Sequence, residues 1–188
     1  KQEVLSIPNA ISAAGAGLVV KGSLESDNLK AATYTGIGRA LDLVDGPVAR
    51  LTHQESDFGA KVDAVFDKLG MLAIMAGSLY HDRIPKPAAA AVITHNVINT
   101  GVSIMQEVKH PDTPVRPTKA GKVGLFLENI GVLSYMAASA IESRTTHNKN
   151  ARALTLAGHA LTATGVGLGL IAGSQYVRRA AADSQNSL

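Results

Sequence analysis

The sequence predicts an all-α protein of six helices that form one domain over residues 1–188. Three observations carry that expectation. No stretch alternates apolar and polar residues as a half-buried strand would. Of the residues, 46% are hydrophobic yet only 4% aromatic, with 18 Gly and no Trp. Small apolar side chains suit close helix–helix contact better than a sheet built from β-branched and aromatic ones. A chain of 188 residues can bury a sizeable core in one domain and is short for two.

Breakers set the elements in order. Pro8-Asn9 opens a first helix over about 8–21, since proline suits the first helical turn, and the polar run from Lys21 to Asn28 closes it. The second helix covers about 29–51 and contains Pro47, which should kink it or loosen its hydrogen bonding. Ser56 or Asp57 reads as the N-cap of a third helix, about 57–80, that stops before His81-Asp-Arg-Ile-Pro. A fourth covers about 87–108. The segment KHPDTPVRPTK, residues 109–119, has three prolines in eleven residues and is a loop. The fifth and sixth helices cover about 118–142 and 150–179, and no internal repeat is present.

Mean hydropathy is only +0.12. The best match to the ~18 apolar residues of a spanning helix is Leu154 to Val177, whose only ionisable side chains are His159 and Tyr176. A second candidate, Pro87 to Met105, is diluted by His95, Asn96 and Asn99. Hydropathy by itself leaves a polytopic membrane protein and a soluble helical bundle both open. The net charge of +3 is mild and the basic residues are scattered without interleaved aromatics, so no nucleic-acid partner is expected. With no cysteine there are no disulfides or thiolate metal ligands. The chain begins on Lys1 rather than Met, which reads as a trimmed terminus.

The chemistry concentrates in DLVDGPVARLTHQESDFGAKVDAVFD, residues 42–67. Asp42, Asp45, Gly46, Ala49 and Arg50 step by three and four along one helix face; Gly59, Asp63 and Asp67 step by four along another. A turn at residues 53–56 would fold the two faces together. Four facing carboxylates repel, and in a low-dielectric setting would cost several kcal/mol each without compensation. Hard divalent cations supply it: an all-oxygen set without His or Cys favours Mg²⁺ or Mn²⁺, and four carboxylates suffice for two ions that clamp phosphoryl oxygens. Gly46, Ala49 and Gly59 leave no bulk beside the acids, so a planar or diphosphate group fits against the backbone, and Arg50 is placed to meet a phosphate. A solvated helix face explains Glu55 and Asp57 well enough. It does not explain eight fixed positions, whose chance occurrence at a given site is ~10⁻¹⁰ at roughly 6% usage per residue type.

The pattern D-x-x-D-G-x-x-A-R-x₈-G-x-x-x-D-x-x-x-D resembles the signature of the CDP-alcohol phosphotransferase family, with every fixed position present. IPNAIS, residues 7–12, is similar to the family's Pro-Asn-x-x-Thr/Ser entry to its first helix. The resemblance implies a six-transmembrane-helix bundle, a polytopic integral membrane enzyme that forms homodimers with its active site facing the cytoplasm. It implies that an acceptor hydroxyl attacks the β-phosphorus of a CDP-linked lipid such as CDP-diacylglycerol, forming a phosphodiester and releasing CMP. Asp42, Asp45, Asp63 and Asp67 would hold two metals, Asp67 would also be the base, and Gly46, Ala49 and Gly59 would line the cytidine pocket. Arg50, Asn9 and Ser12 would lie near the diphosphate. Many members carry an Arg a few residues after the Pro-Asn element, where this chain has Gly15.

RPTKAGK, residues 116–122, is similar to the corresponding segment of bacterial phosphatidylglycerophosphate synthases. Arg116, Lys119 and Lys122 form a basic cluster that suits a phosphorylated acceptor, glycerol 3-phosphate first and an inositol phosphate as the alternative. Binding of lipid headgroups explains the same charges equally well. From a different class, a non-catalytic metal-binding membrane scaffold or a soluble metal-binding bundle would also use the carboxylates. Loop Lys and Arg divide almost evenly between the two sides and set no orientation. His95 reads as a hydrogen-bonded packing residue. Glu128 and Asn129 read as cavity-lining or as interhelical hydrogen-bond partners. Gly165, Gly169 and Gly173, spaced by four, make a smooth groove for contact within the bundle in preference to a dimer seam.

Overall fold

The computed structural model is all-helical, with α1 (Ile7–Leu24), α2 (Asn28–Leu51), α3 (Asp57–Tyr80), α4 (Lys86–Lys109), α5 (Lys119–Glu142) and α6 (Lys149–Gln185). It describes the backbone of residues 6–52, 57–109, 118–145 and 147–185, and within them all side chains except those of 57–65, 103, 106–109 and 176–185. Among these residues there is no strand.

Each start has a local cause. Ser6 caps α1, its Oγ accepting from the Asn9 N–H at 3.3 Å, with Pro8 in the first turn. Asp27 caps α2 by accepting from the Lys30 N–H at 2.9 Å. Thr118 Oγ1 accepts from the Gly121 N–H at 3.1 Å as α5 begins. The proposed cap Ser56 lies outside the described residues, and Asp57 is the first residue of α3. Two expectations change. Helix α1 continues to Leu24, past Lys21, because Gly22 serves a close approach to Thr35 rather than a stop, and Ser23 Oγ bonds back to the Val20 carbonyl at 2.7 Å. Helix α6 continues to Gln185, past the expected end at Arg179. Helix α2 runs through Pro47 as expected, the missing N–H leaving the Leu43 carbonyl without its helical donor.

The chain divides into two compact units. The first holds residues 1–84 and 136–152. Here α1 and α2 run antiparallel with their backbones nearly touching. A Cβ on Gly15 would lie 2.9 Å from the Gly38 carbonyl oxygen, and one on Gly38 would lie 2.6 Å from that of Gly15. Val19, Ala31, Met71, Ile74 and Met75 fill this core. Arg83, just after α3 and 3% exposed, donates through Nε to Asn28 Oδ1 at 2.8 Å and through Nη2 to the Glu25 carbonyl. One guanidinium thus ties the end of α1 to the start of α2.

The second unit holds residues 85–135 and 153–188. Helices α5 and α6 approach through Gly124 and Gly165, where a Cβ on either would come within 2.7 Å of the other's carbonyl oxygen. The Gly165, Gly169 and Gly173 row faces Glu128, His95 and Asn99 respectively, so it seats polar side chains of this chain's own bundle. His95 and Glu128 are 3% and 0% exposed. His95 Nδ1 lies 2.5 Å from Glu128 Oε1, an ion-pair distance off hydrogen-bond angles; Asn96 Nδ2 donates to Glu128 Oε2 at 3.0 Å, and Asn99 Nδ2 meets His95 Nε2 at 2.6 Å. This arrangement matches the reading of Glu128 as an interhelical hydrogen-bond partner and of His95 as a hydrogen-bonded packing residue. Asn129 bonds back to the Leu125 carbonyl at 3.0 Å.

Two helical stretches, Lys119–Glu142 and Lys149–Gln175, are long and apolar enough to cross a membrane. Helices α2 and α4 fall short partly because of polar residues they bury, Arg39 and Asp45 in one and His95 in the other. Their outward faces are apolar: Ile37, Leu43, Val44 and Leu51 on α2, and Val97, Ile98 and Ile104 on α4, are all exposed.

Candidate active site

The register of α1 on α2 builds one side of the site. Gly15 lies against Gly38, Leu41 and Asp42, so the residue one turn before Gly15 meets the residue one turn after Asp42. That pairs Ser12 with Asp45. Ser12 Oγ lies 2.5 Å from Asp45 Oδ2 and 3.1 Å from the Pro8 carbonyl, and both side chains are buried. The second side comes from α3, which runs parallel to α1, with Gly70 beside Val19 and Gly77 beside Ser23. This brings Asp67 level with the middle of α2.

What joins α2 to α3 is Arg39, which the sequence reading passed over. Its Nη1 lies 2.6 Å from Asp67 Oδ1 and 3.6 Å from Asp42 Oδ2. The residue is 6% exposed, while the Asp42 and Asp67 side chains are 30% exposed. A buried guanidinium needs a carboxylate partner to offset its desolvation, and two converging carboxylates need a cation. The sequence signal was available: Arg39 stands three residues before Asp42, one turn back on the same face.

Gly46 and Arg50 also share a face, since a Cβ on Gly46 would meet only Arg50 Nη1, at 3.7 Å. Ala49 is half-buried and Arg50 exposed. Asn9 is half-buried in the first turn of α1. Gly59 and Asp63 lie on α3, but their side chains are outside the described residues; Arg116 is outside them altogether. Lys119 and Lys122 are exposed at the start of α5.

Among the described residues no group of three or more His, Asp or Glu side chains stands ready to hold a metal, and Asp63 is not in that set. The donor chemistry nevertheless fits a hard dication. Asp42 and Asp67 offer only oxygen, reach the same Arg39 guanidinium nitrogen from two helices, and are partly open to solvent.

A family model described as CDP-alcohol phosphatidyltransferase matches residues 5–168. No curated protein and no solved structure matches the chain.

Proposed function

Because the chain belongs to the CDP-alcohol phosphatidyltransferase family, we propose that it moves a phosphatidyl group from CDP-diacylglycerol to glycerol 3-phosphate and releases CMP. The family by itself makes it a transferase of phospholipid biosynthesis, acting from a CDP-linked donor on an alcohol. The observation that supports a metal-dependent transfer is the convergence of Asp42 and Asp67, from two helices, on the Arg39 guanidinium.

In this reading Asp42, Asp45, Asp63 and Asp67 hold two divalent ions, Mg²⁺ or Mn²⁺. When bound, such ions neutralise the diphosphate and the departing CMP. Asp67 accepts the proton of the acceptor hydroxyl. The freed oxygen attacks the β-phosphorus, the bond from that phosphorus to CMP breaks, and a phosphodiester remains. Gly46, Ala49 and Gly59 leave room for cytidine, with Arg50 and Asn9 toward the diphosphate. Ser12 takes a positioning role, since its hydroxyl is already engaged with the Asp45 carboxylate.

Residues 1–188 form one domain in this reading, supported by a family match that runs through both units. Six helices span the membrane, the active site faces the cytoplasm and the chain pairs as a homodimer. Support for the membrane comes from the two apolar helices and from polar groups turned inward with large apolar residues turned outward. Arg116, Lys119 and Lys122 favour a phosphorylated acceptor, with an inositol phosphate as the alternative. The deciding experiment is Mn²⁺-dependent release of CMP from CDP-diacylglycerol by detergent-purified protein, run with glycerol 3-phosphate, inositol phosphate, serine and phosphatidylglycerol. Turnover with glycerol 3-phosphate is expected. Mn²⁺ binding without turnover on any acceptor would replace the enzyme by a metal-binding scaffold.

A further inference from the structure

Arg39 is buried beside the carboxylates, yet only one of its nitrogens is used. Nη1 serves Asp67 and Asp42, while Nε and Nη2 are buried with no hydrogen-bond partner among the described residues. Native proteins rarely leave such donors unmet, and charged ones least of all, because each forgoes its bonds to water without replacement. The missing partner must bring oxygen acceptors. Gly70 lets α3 pack close to the guanidinium without a side chain against it: a Cβ there would stand 3.7 Å from Nη2 and 3.8 Å from Nη1.

Charge points the same way. With two divalent ions bound, the charges of the four motif carboxylates would be balanced and the guanidinium's positive charge would be left uncompensated. That is the sign a diphosphate needs, and a planar guanidinium binds phosphate oxygens through two parallel N–H donors.

We propose that Arg39 exchanges partners: it holds Asp42 and Asp67 together in the ligand-free chain and turns its donors to a phosphate oxygen of the CDP-linked donor once metals take those carboxylates. This rests on the metal-site reading above. Arg39 is then both the cation that offsets the Asp42 and Asp67 charges before metal binds and a substrate-binding residue afterwards.

The test uses the full chain in detergent, with Mn²⁺ binding followed by electron paramagnetic resonance and CDP binding followed by calorimetry in the same samples. In Arg39→Gln, Mn²⁺ still binds and CDP binding in its presence weakens at least about ten-fold, as expected for loss of a charge-assisted contact. Arg39→Lys, which keeps the charge but not the fork, recovers part of the loss. Unchanged CDP affinity in Mn²⁺-loaded Arg39→Gln overturns the proposal and leaves the metal site standing. Absence of Mn²⁺ binding in the unaltered chain removes the metal site and the proposal with it. Should Arg39→Gln not fold, the unaltered chain labelled with ¹⁵N at arginine Nε decides. The resonance lost in Arg39→Lys should move when CDP is added with Mg²⁺. A resonance that stays in place refutes the exchange.

Discussion

Ser12 on α1 donates its hydroxyl to the Asp45 carboxylate on α2 across 2.5 Å, and both groups are buried. Neither residue selects the other. Gly15 and Gly38 do, by letting the two backbones touch between Ser12 and the turn at residues 25–27 and so fixing the register.

Gly38→Ala therefore strikes the site from a distance. Its Cβ would stand 2.6 Å from the Gly15 carbonyl oxygen, so the backbones must part. A stability loss of about 1–3 kcal/mol is expected, with a fall in CMP release. Gly36→Ala, which would meet nothing within 4 Å, is the control and should be neutral or slightly stabilising. Unfolding in detergent and CMP release separate the two variants; equal behaviour would refute the register argument.

Asp67→Asn should abolish CMP release, a loss of at least about 10²–10⁴-fold for removal of a general base. Near-normal turnover in that variant would remove Asp67 from the role.

The His95–Glu128 pair should be asymmetric. Glu128→Leu leaves an imidazole that can stay neutral and keep its contact with Asn99. His95→Leu leaves a fully buried carboxyl group with Asn96 as its partner among the described residues. Costs of about 1–2 kcal/mol for the first and about 3 kcal/mol for the second are expected, with the double variant less destabilised than their sum. Additive losses in a double-mutant cycle would show that the two side chains do not act as a pair.

Acid should weaken the start of α2. The Lys30 N–H bonded to the Asp27 carboxylate is the main cause holding its pKa below the ordinary 3.8. Its folded value is depressed, so the cap contributes fully above the unfolded value and is lost as pH falls through the folded one. Asp27→Asn keeps an N-cap but removes this pH dependence. Thermal unfolding followed down through pH 3.8 should therefore show a shallower slope for the variant, and identical slopes would refute the assignment.

Lys122→Glu should raise the KM for the acceptor and leave kcat little changed, if this exposed lysine meets an acceptor phosphate. An unchanged KM would assign it to lipid headgroups instead.

The helices were legible in the sequence because their ends are local events. Pro8, the Asp27 cap, the turn at residues 81–85 and the three prolines in the sequence between Lys109 and Lys119 act within a few residues, and the expected bounds of α2, α3 and α5 fall within one residue of those observed. The motif was legible too, since its spacing is a property of the helix itself, and with it the family. The run from Lys21 to Asn28 misled because a glycine in it, Gly22, admits a neighbour, and a glycine that does so looks like one that breaks a helix until the neighbour is in place.

What tertiary structure decided lies between helices. That Arg39 reaches Asp67, that Ser12 meets Asp45, and that the glycine row of α6 seats Glu128, His95 and Asn99 all depend on register. Periodicity says which residues share a face, but it does not say which level of the next helix that face will meet. Backbone contacts at paired glycines set the level, and they bring one guanidinium to two carboxylates.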